Sequence, residues 1–209
     1  MRPRMPVLAA LVTALGLGVV GCGQPSRTAS PDGESAARSS GAAMSAEEIQ
    51  RQDAVTAWAD GYCGAVSELV RSVSTMPEID PSTPAQASRT SSELLGVMIG
   101  GLDRTLQRLG SLGRAPVTAA ERMKADAVAT YTGIRDRAVG AKNQLDAATT
   151  TEASTAAIGA VRGPLEEIGR LDLLAGFDTV PELRQASARA GRCLQLTEQG
   201  GAARFDPGP

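Results

Sequence analysis

The chain has 209 residues, 21 basic and 23 acidic side chains, a formal charge of −2, 2% aromatic residues and no histidine. That length predicts one domain able to bury a core, and the missing histidine excludes Ser-His-Asp and Cys-His catalysis and histidine-bearing zinc or haem centres for want of parts. A mildly acidic chain with few rings to stack bases on is not a nucleic-acid binder.

The chain opens MRPRMPVLAALVTALGLGVVGC. Arg2 and Arg4 make a positive start, Val7 to Val20 form an apolar run, and small Gly21 ends it. This is the three-part layout of a secretory signal, too short to span a bilayer. Val19-Val20-Gly21-Cys22 resembles the lipobox of bacterial lipoproteins, with Val19 where Leu is usual. The resemblance implies that residues 1–21 are a removed signal peptide and that Cys22 is lipidated, with fatty chains such as palmitate. The protein is then held on the extracytoplasmic face of the cell membrane. Each buried methylene contributes about 0.8 kcal/mol, and two chains anchor where one does not. The alternative is an ordinary signal peptide with an incidental cysteine. Losing Arg2 and Arg4 with the signal brings the formal charge to −4. Gly16, Gly18 and Gly21 have the spacing of a dinucleotide-binding loop, but that loop needs a strand before it and a helix after it in the mature domain. No cofactor is expected.

Behind Cys22 the sequence GQPSRTASPDGESAARSSGAAM has no hydrophobic period. Residues 22–44 read as the lipidated cysteine and a flexible tether with a reach of roughly 25 Å. With Cys22 acylated, Cys63 and Cys193 remain as an even pair in an oxidising compartment. A disulfide between them would close a loop of about 130 residues, on the order of 4–5 kcal/mol in the chain-entropy description. Two unrelated buried thiols are the alternative.

From Ser45 the pattern turns helical, and five Ser/Thr-x-x-Glu/Gln capping boxes mark predicted starts: Ser45–Glu48, Thr83–Gln86, Thr118–Glu121, Thr149–Glu152 and Thr179–Glu182. The first helix is predicted over 46–75, with Val55, Trp58, Tyr62, Val66, Leu69, Val73 and Met76 as its apolar stripe. The prolines of PEIDPSTP end it. The second spans 84–112 with a stripe of Leu95, Met98, Leu102, Leu106, Leu109 and Leu112. The third spans 119–148 through Ala127, Tyr131, Ile134, Ala138, Ala141 and Leu145, near a heptad seam. A fourth, over 152–171, carries Ala157, Val161, Leu165 and Ile168, with Gly163-Pro164 as a kink or split. A fifth, over 180–198, places Leu183, Ala186, Ala190, Cys193 and Thr197 on one face. No segment alternates like a half-buried strand.

The expected fold is therefore all-α, an antiparallel bundle of four to five helices over residues 45–198, followed by a disordered tail over 199–209. Cys63 and Cys193 fall on the buried sides of the first and last helices. AWADGYCGAVSELV and ASARAGRCLQL resemble the first and last helices of secreted or lipid-anchored helical proteins of actinobacteria. That resemblance implies a disulfide-tied helical fold and supplies no activity.

Candidate functional features are few. LLGVMIGGL, with Gly96 and Gly100, has the spacing of a close helix crossing, but nine residues cannot cross a membrane. The face of the third helix bearing Arg122, Lys124, Arg135, Arg137 and Lys142 suits anionic lipid headgroups, or is merely solvated. Lys124 and Lys142 are the only lysines a serine nucleophile could use as base, and neither has a suggestive setting. Glu166 and Arg170 read as a helix-surface pair. No metal-binding, P-loop or Gly-x-Ser-x-Gly pattern occurs. The sequence thus predicts a non-catalytic envelope lipoprotein that binds an envelope protein or wall component. Its alternative is a carrier or sensor of an apolar, lipid-like ligand held within the bundle.

Overall fold

The computed structural model describes residues 44–200. The predicted signal peptide (1–21), the lipidation of Cys22 and the tether lie outside the described residues apart from Met44, as does the tail beyond 200. Within the described residues seven helices follow in order: α1 Ala46–Val73, α2 Pro84–Ser111, α3 Thr118–Ala147, α4 Thr151–Gly159, α5 Arg162–Gly169, α6 Pro181–Ser187 and α7 Gly191–Gly200. Among the described residues there is no strand. The fold is an all-α bundle. α2 packs between α1 and α3, α4 lies on α2 and α3, α5 lies on α3, and α6 and α7 lie on α1.

Two starts form as their sequences dictate. The Ser45 hydroxyl accepts from the Glu48 N–H at 3.2 Å and the Thr83 hydroxyl from the Gln86 N–H at 3.1 Å, with Pro84 in the first turn of α2. α1 and α2 run antiparallel, since Trp58 Nε1 donates to the Gly113 carbonyl near one end while Gly101 meets Ser72 near the other. α2 and α3 are antiparallel too, with Asp103 on Arg135 and Ser92 on Lys142. The predicted stripes form the core. Val55, Trp58, Tyr62, Val66, Leu69 and Val73 meet Leu95, Met98, Leu102 and Leu109 of α2, with Tyr131, Ile134, Ala138, Ala141 and Leu145 of α3 in the same cluster.

The remaining boundaries differ from expectation for identifiable reasons. Val117 rather than Thr118 caps α3, and the Glu121 carboxylate instead accepts from the Ala115 N–H at 2.8 Å, tying down the preceding linker. That bond holds the Glu121 carboxyl below its ordinary value, with Lys124 adding to the effect. α4 is capped by Thr150, whose hydroxyl accepts from the Ala153 N–H, not by its neighbour Thr149. The single fourth helix is two. Pro164 would clash with the carbonyl four residues back, at Ala160, and Ala160 is where α4 stops. Pro164 then fits the first turn of α5, where an N–H has no helical partner to lose.

The fifth helix is also two, split at Ala188–Ala190 just ahead of Gly191, with no proline at the break. The Asp60 carboxylate on α1 accepts from the Arg192 N–H at 2.8 Å, so α7 is started by a cap from another helix. The split resets the helical phase, and Leu196 rather than Thr197 is buried. The expected tail start at 199 moves as well, because α7 continues to Gly200. The close-approach glycine of α2 is Gly101, not Gly96 or Gly100. A Cβ on Gly101 would lie 2.5 Å from Ser72 Cβ, whereas one on Gly96 would stand 3.7 Å from Lys142 Cε. No described helix is long and apolar enough to cross a membrane.

Cys63 and Cys193 are joined by a disulfide with Cα atoms 5.0 Å apart. Both are buried, and the bond fastens α7 to the middle of α1.

Candidate functional site

A chain so poor in aromatic residues concentrates them. The four aromatic side chains among the described residues, Trp58, Tyr62, Tyr131 and Phe177, are all buried. Trp58 stacks on Tyr62 with centroids 5.6 Å apart, and Phe177 meets Tyr62 at 5.3 Å with a tilt of 47°. Phe177 belongs to the segment 171–180 between α5 and α6, which folds back over α3. Local bonds hold that segment: the Leu174 N–H donates to Asp172 Oδ1 at 3.0 Å, and the Thr179 hydroxyl donates to the Gly176 carbonyl at 2.9 Å. Gly176 sits at φ 87°, a left-handed conformation that glycine adopts without strain. A Cβ there would lie 3.3 Å from Met123 Cγ, so the glycine also allows the segment to lie against α3.

Between α3 and this segment runs a half-open groove of about 590 Å³. Ala119, Met123, Ala127, Leu171, Ala175 and Val180 supply its apolar surface, and Tyr62 and Tyr131 reach it from beneath. Both tyrosines are only 2% exposed. Burial pushes the Tyr62 hydroxyl from 10.0 up to about 12 and the Tyr131 hydroxyl higher still, and the nearby Asp172 charge adds to both. The two hydroxyls are close enough to influence each other's titration. No hydrogen bond joins either hydroxyl to another described residue. Both phenols line the groove, each with an O–H donor and lone pairs, and both remain uncharged near neutral pH. Arg122, Arg170, Asp126 and Asp172 stand around the mouth, two of each sign. Arg170 is bonded to Glu166 at 2.9 Å, as the sequence predicted, and Arg162 shares the same carboxylate.

The sequence expectation of a basic face on α3 changes once neighbours are placed. Lys124 pairs with Glu121, Arg135 with Asp103 and Asp136, Arg137 with Glu167, and Lys142 with Asp146. Only Arg122 of the five lacks an acidic partner among the described residues. The face is a mosaic of pairs, a poor template for an anionic surface.

Lys142 acquires a setting the sequence did not suggest. Its Nζ lies 2.9 Å from Ser92 Oγ and 2.7 Å from Asp146 Oδ2, and the Ser92 hydroxyl donates to Asp146 Oδ1. Ser92 and Asp146 border a second hollow of about 440 Å³, with Ser88, Thr149, Thr150, Thr151 and Ser154 also in its lining. Hydrogen bonds from Lys142 and Ser92 hold the Asp146 carboxyl below its ordinary value. A lysine held by a carboxylate is not the free base that a serine nucleophile requires, and the trio reads as a polar latch between α2 and α3. Among the described residues no group of His, Cys, Asp or Glu side chains is arranged to hold a metal ion.

Comparison with protein-family models, with curated proteins and with solved structures finds no match for this chain.

Proposed function

We propose that the protein is a non-catalytic binding module of the cell envelope, anchored through lipidated Cys22 on the extracytoplasmic face of the membrane. The groove over Tyr62 and Tyr131 is its recognition site. The observation that carries the reading is that groove: its size is that of a ligand site, its surface is mostly apolar, and two buried, uncharged phenols line it. The lipobox-like Val19–Cys22 stretch, the polar segment behind it and the Cys63–Cys193 disulfide support the location, since disulfides persist in oxidising compartments. The alternative of an apolar ligand enclosed within the bundle has less support, because Leu95, Met98, Leu102 and Leu109 fill the space between the long helices without exposure.

Two measurements test the reading together. Mass analysis of the mature chain from the membrane fraction should find Cys22 at its start with acyl mass attached, and Cys22→Ala should abolish that mass. A photoreactive residue at exposed Thr130, on the groove, should give a reproducible adduct in intact cells that the same residue at exposed Glu152 does not. An unacylated mature chain inside the cell, or the same miscellaneous neighbours captured from both positions, would overturn it.

A further inference from the structure

We infer that the groove takes a single-chain amphipath, a fatty ester or alcohol, lying along α3 with its uncharged oxygen at Tyr62 and Tyr131. This rests on the groove being the recognition site. Its α3 wall runs from Ala119 to Tyr131, twelve residue steps or about 18 Å of helix, so the site is elongated. Met123, Ala127, Leu171 and Val180 offer a slender apolar body a continuous surface, and Met123 adapts readily to different shapes. The polar end of the site selects against charge. The two phenols are neutral donors and acceptors; the Asp172 charge beside them repels a carboxylate, and a quaternary ammonium has neither an N–H nor a lone pair to offer them. A hydroxyl or ester carbonyl, by contrast, accepts a hydrogen bond from either phenol. The mouth carries two arginines and two aspartates, so it attracts neither sign of headgroup.

The protein's single tryptophan supplies the readout, because Trp58 stacks on Tyr62. The full chain carrying Cys22→Ala, so that no acyl group of its own competes, is titrated below micelle formation with monododecanoylglycerol, dodecanoate and dodecyltrimethylammonium. The fluorescence is followed, and native mass spectrometry counts the bound molecules. The expected result is saturable binding of one monododecanoylglycerol, with both ions at least tenfold weaker. Tyr131→Phe, which removes the hydroxyl and keeps the ring, should weaken binding roughly three- to tenfold, the yield of one hydrogen bond. Ala127→Phe, placing a ring in the groove, should abolish binding while helix content and the disulfide are retained.

Stronger binding of either ion, or binding unchanged by both substitutions, would overturn the inference. Absence of saturation with all three probes would overturn it as well. If Thr130 cross-linking in cells then still yields a specific polypeptide adduct, the binding-module reading stands and the ligand is a peptide segment.

Discussion

Tyr62 lies at the meeting point of everything described above. Its ring stacks on Trp58 and meets Phe177 at a tilt, its side chain lines the groove, and its chain neighbour Cys63 carries the disulfide. Because burial raises the Tyr62 and Tyr131 hydroxyls above the ordinary phenol value, the folded state keeps protons that the unfolded chain gives up. Stability from this source is therefore complete below pH 10 and falls as pH rises toward 12 and beyond. For Tyr62 alone the loss across that window is on the order of 2–3 kcal/mol. Denaturant midpoints measured in steps from pH 8 upward should stay level to about pH 10 and then decline, and Tyr131→Phe should make the decline shallower. A flat profile would show that the phenols ionise freely. Glu68 is a second residue whose setting is tertiary. It is 8% exposed, and at the α1–α2 interface its carboxylate is met by Arg108 of α2 at 2.8 Å and Arg71 at 3.0 Å, both of which stay largely open to solvent.

For the helices, closeness of approach decides which glycines matter. Gly101 lets α2 touch α1 at Ser72, and Gly110 on the same helix has nothing within 4 Å of where a Cβ would stand. Gly101→Ala must push the two helices apart, at roughly 1–3 kcal/mol. Gly110→Ala should instead stabilise by roughly 0.5–1 kcal/mol through helix propensity. Thermal midpoints of the two variants should move in opposite directions, and equal shifts would refute the packing argument. The same contrast explains what could be read in advance. α1, α2 and α3 were legible because each carries a long apolar period, and for α1 and α2 the capping residue lies next to the helix it serves. The breaks that make α4 to α7 were harder. Pro164 announced one but not its place. The start of α7 depends on Asp60, more than a hundred residues away in sequence, and no local pattern encodes a cap supplied from another helix. The groove was illegible for the same reason: Tyr62, Met123, Tyr131 and Asp172 become neighbours only when segment 171–180 folds over α3. Tyr62 and Tyr131 read from the sequence as core positions, and that they also line a cleft is a fact of tertiary packing.

Across the whole molecule, the disulfide spans a separation of 130 residues and joins α1 to the final helix. Replacing both cysteines, as Cys63→Ser with Cys193→Ser, should cost about 4–5 kcal/mol in the chain-entropy description. Urea unfolding should show a lower midpoint and a steeper slope, because the unlinked denatured chain exposes more surface. An unchanged midpoint would mean that packing alone sets the position of α7.

The same bond gives the domain a property that helix packing by itself does not. The two irregular connections at 74–83 and 171–180 are natural targets for a protease, and both fall inside the covalent ring closed by Cys63 and Cys193. A single cut at either place severs the backbone but frees neither fragment. A nicked copy would stay in one covalent piece, and its two parts would separate only after a reductant had opened the bond.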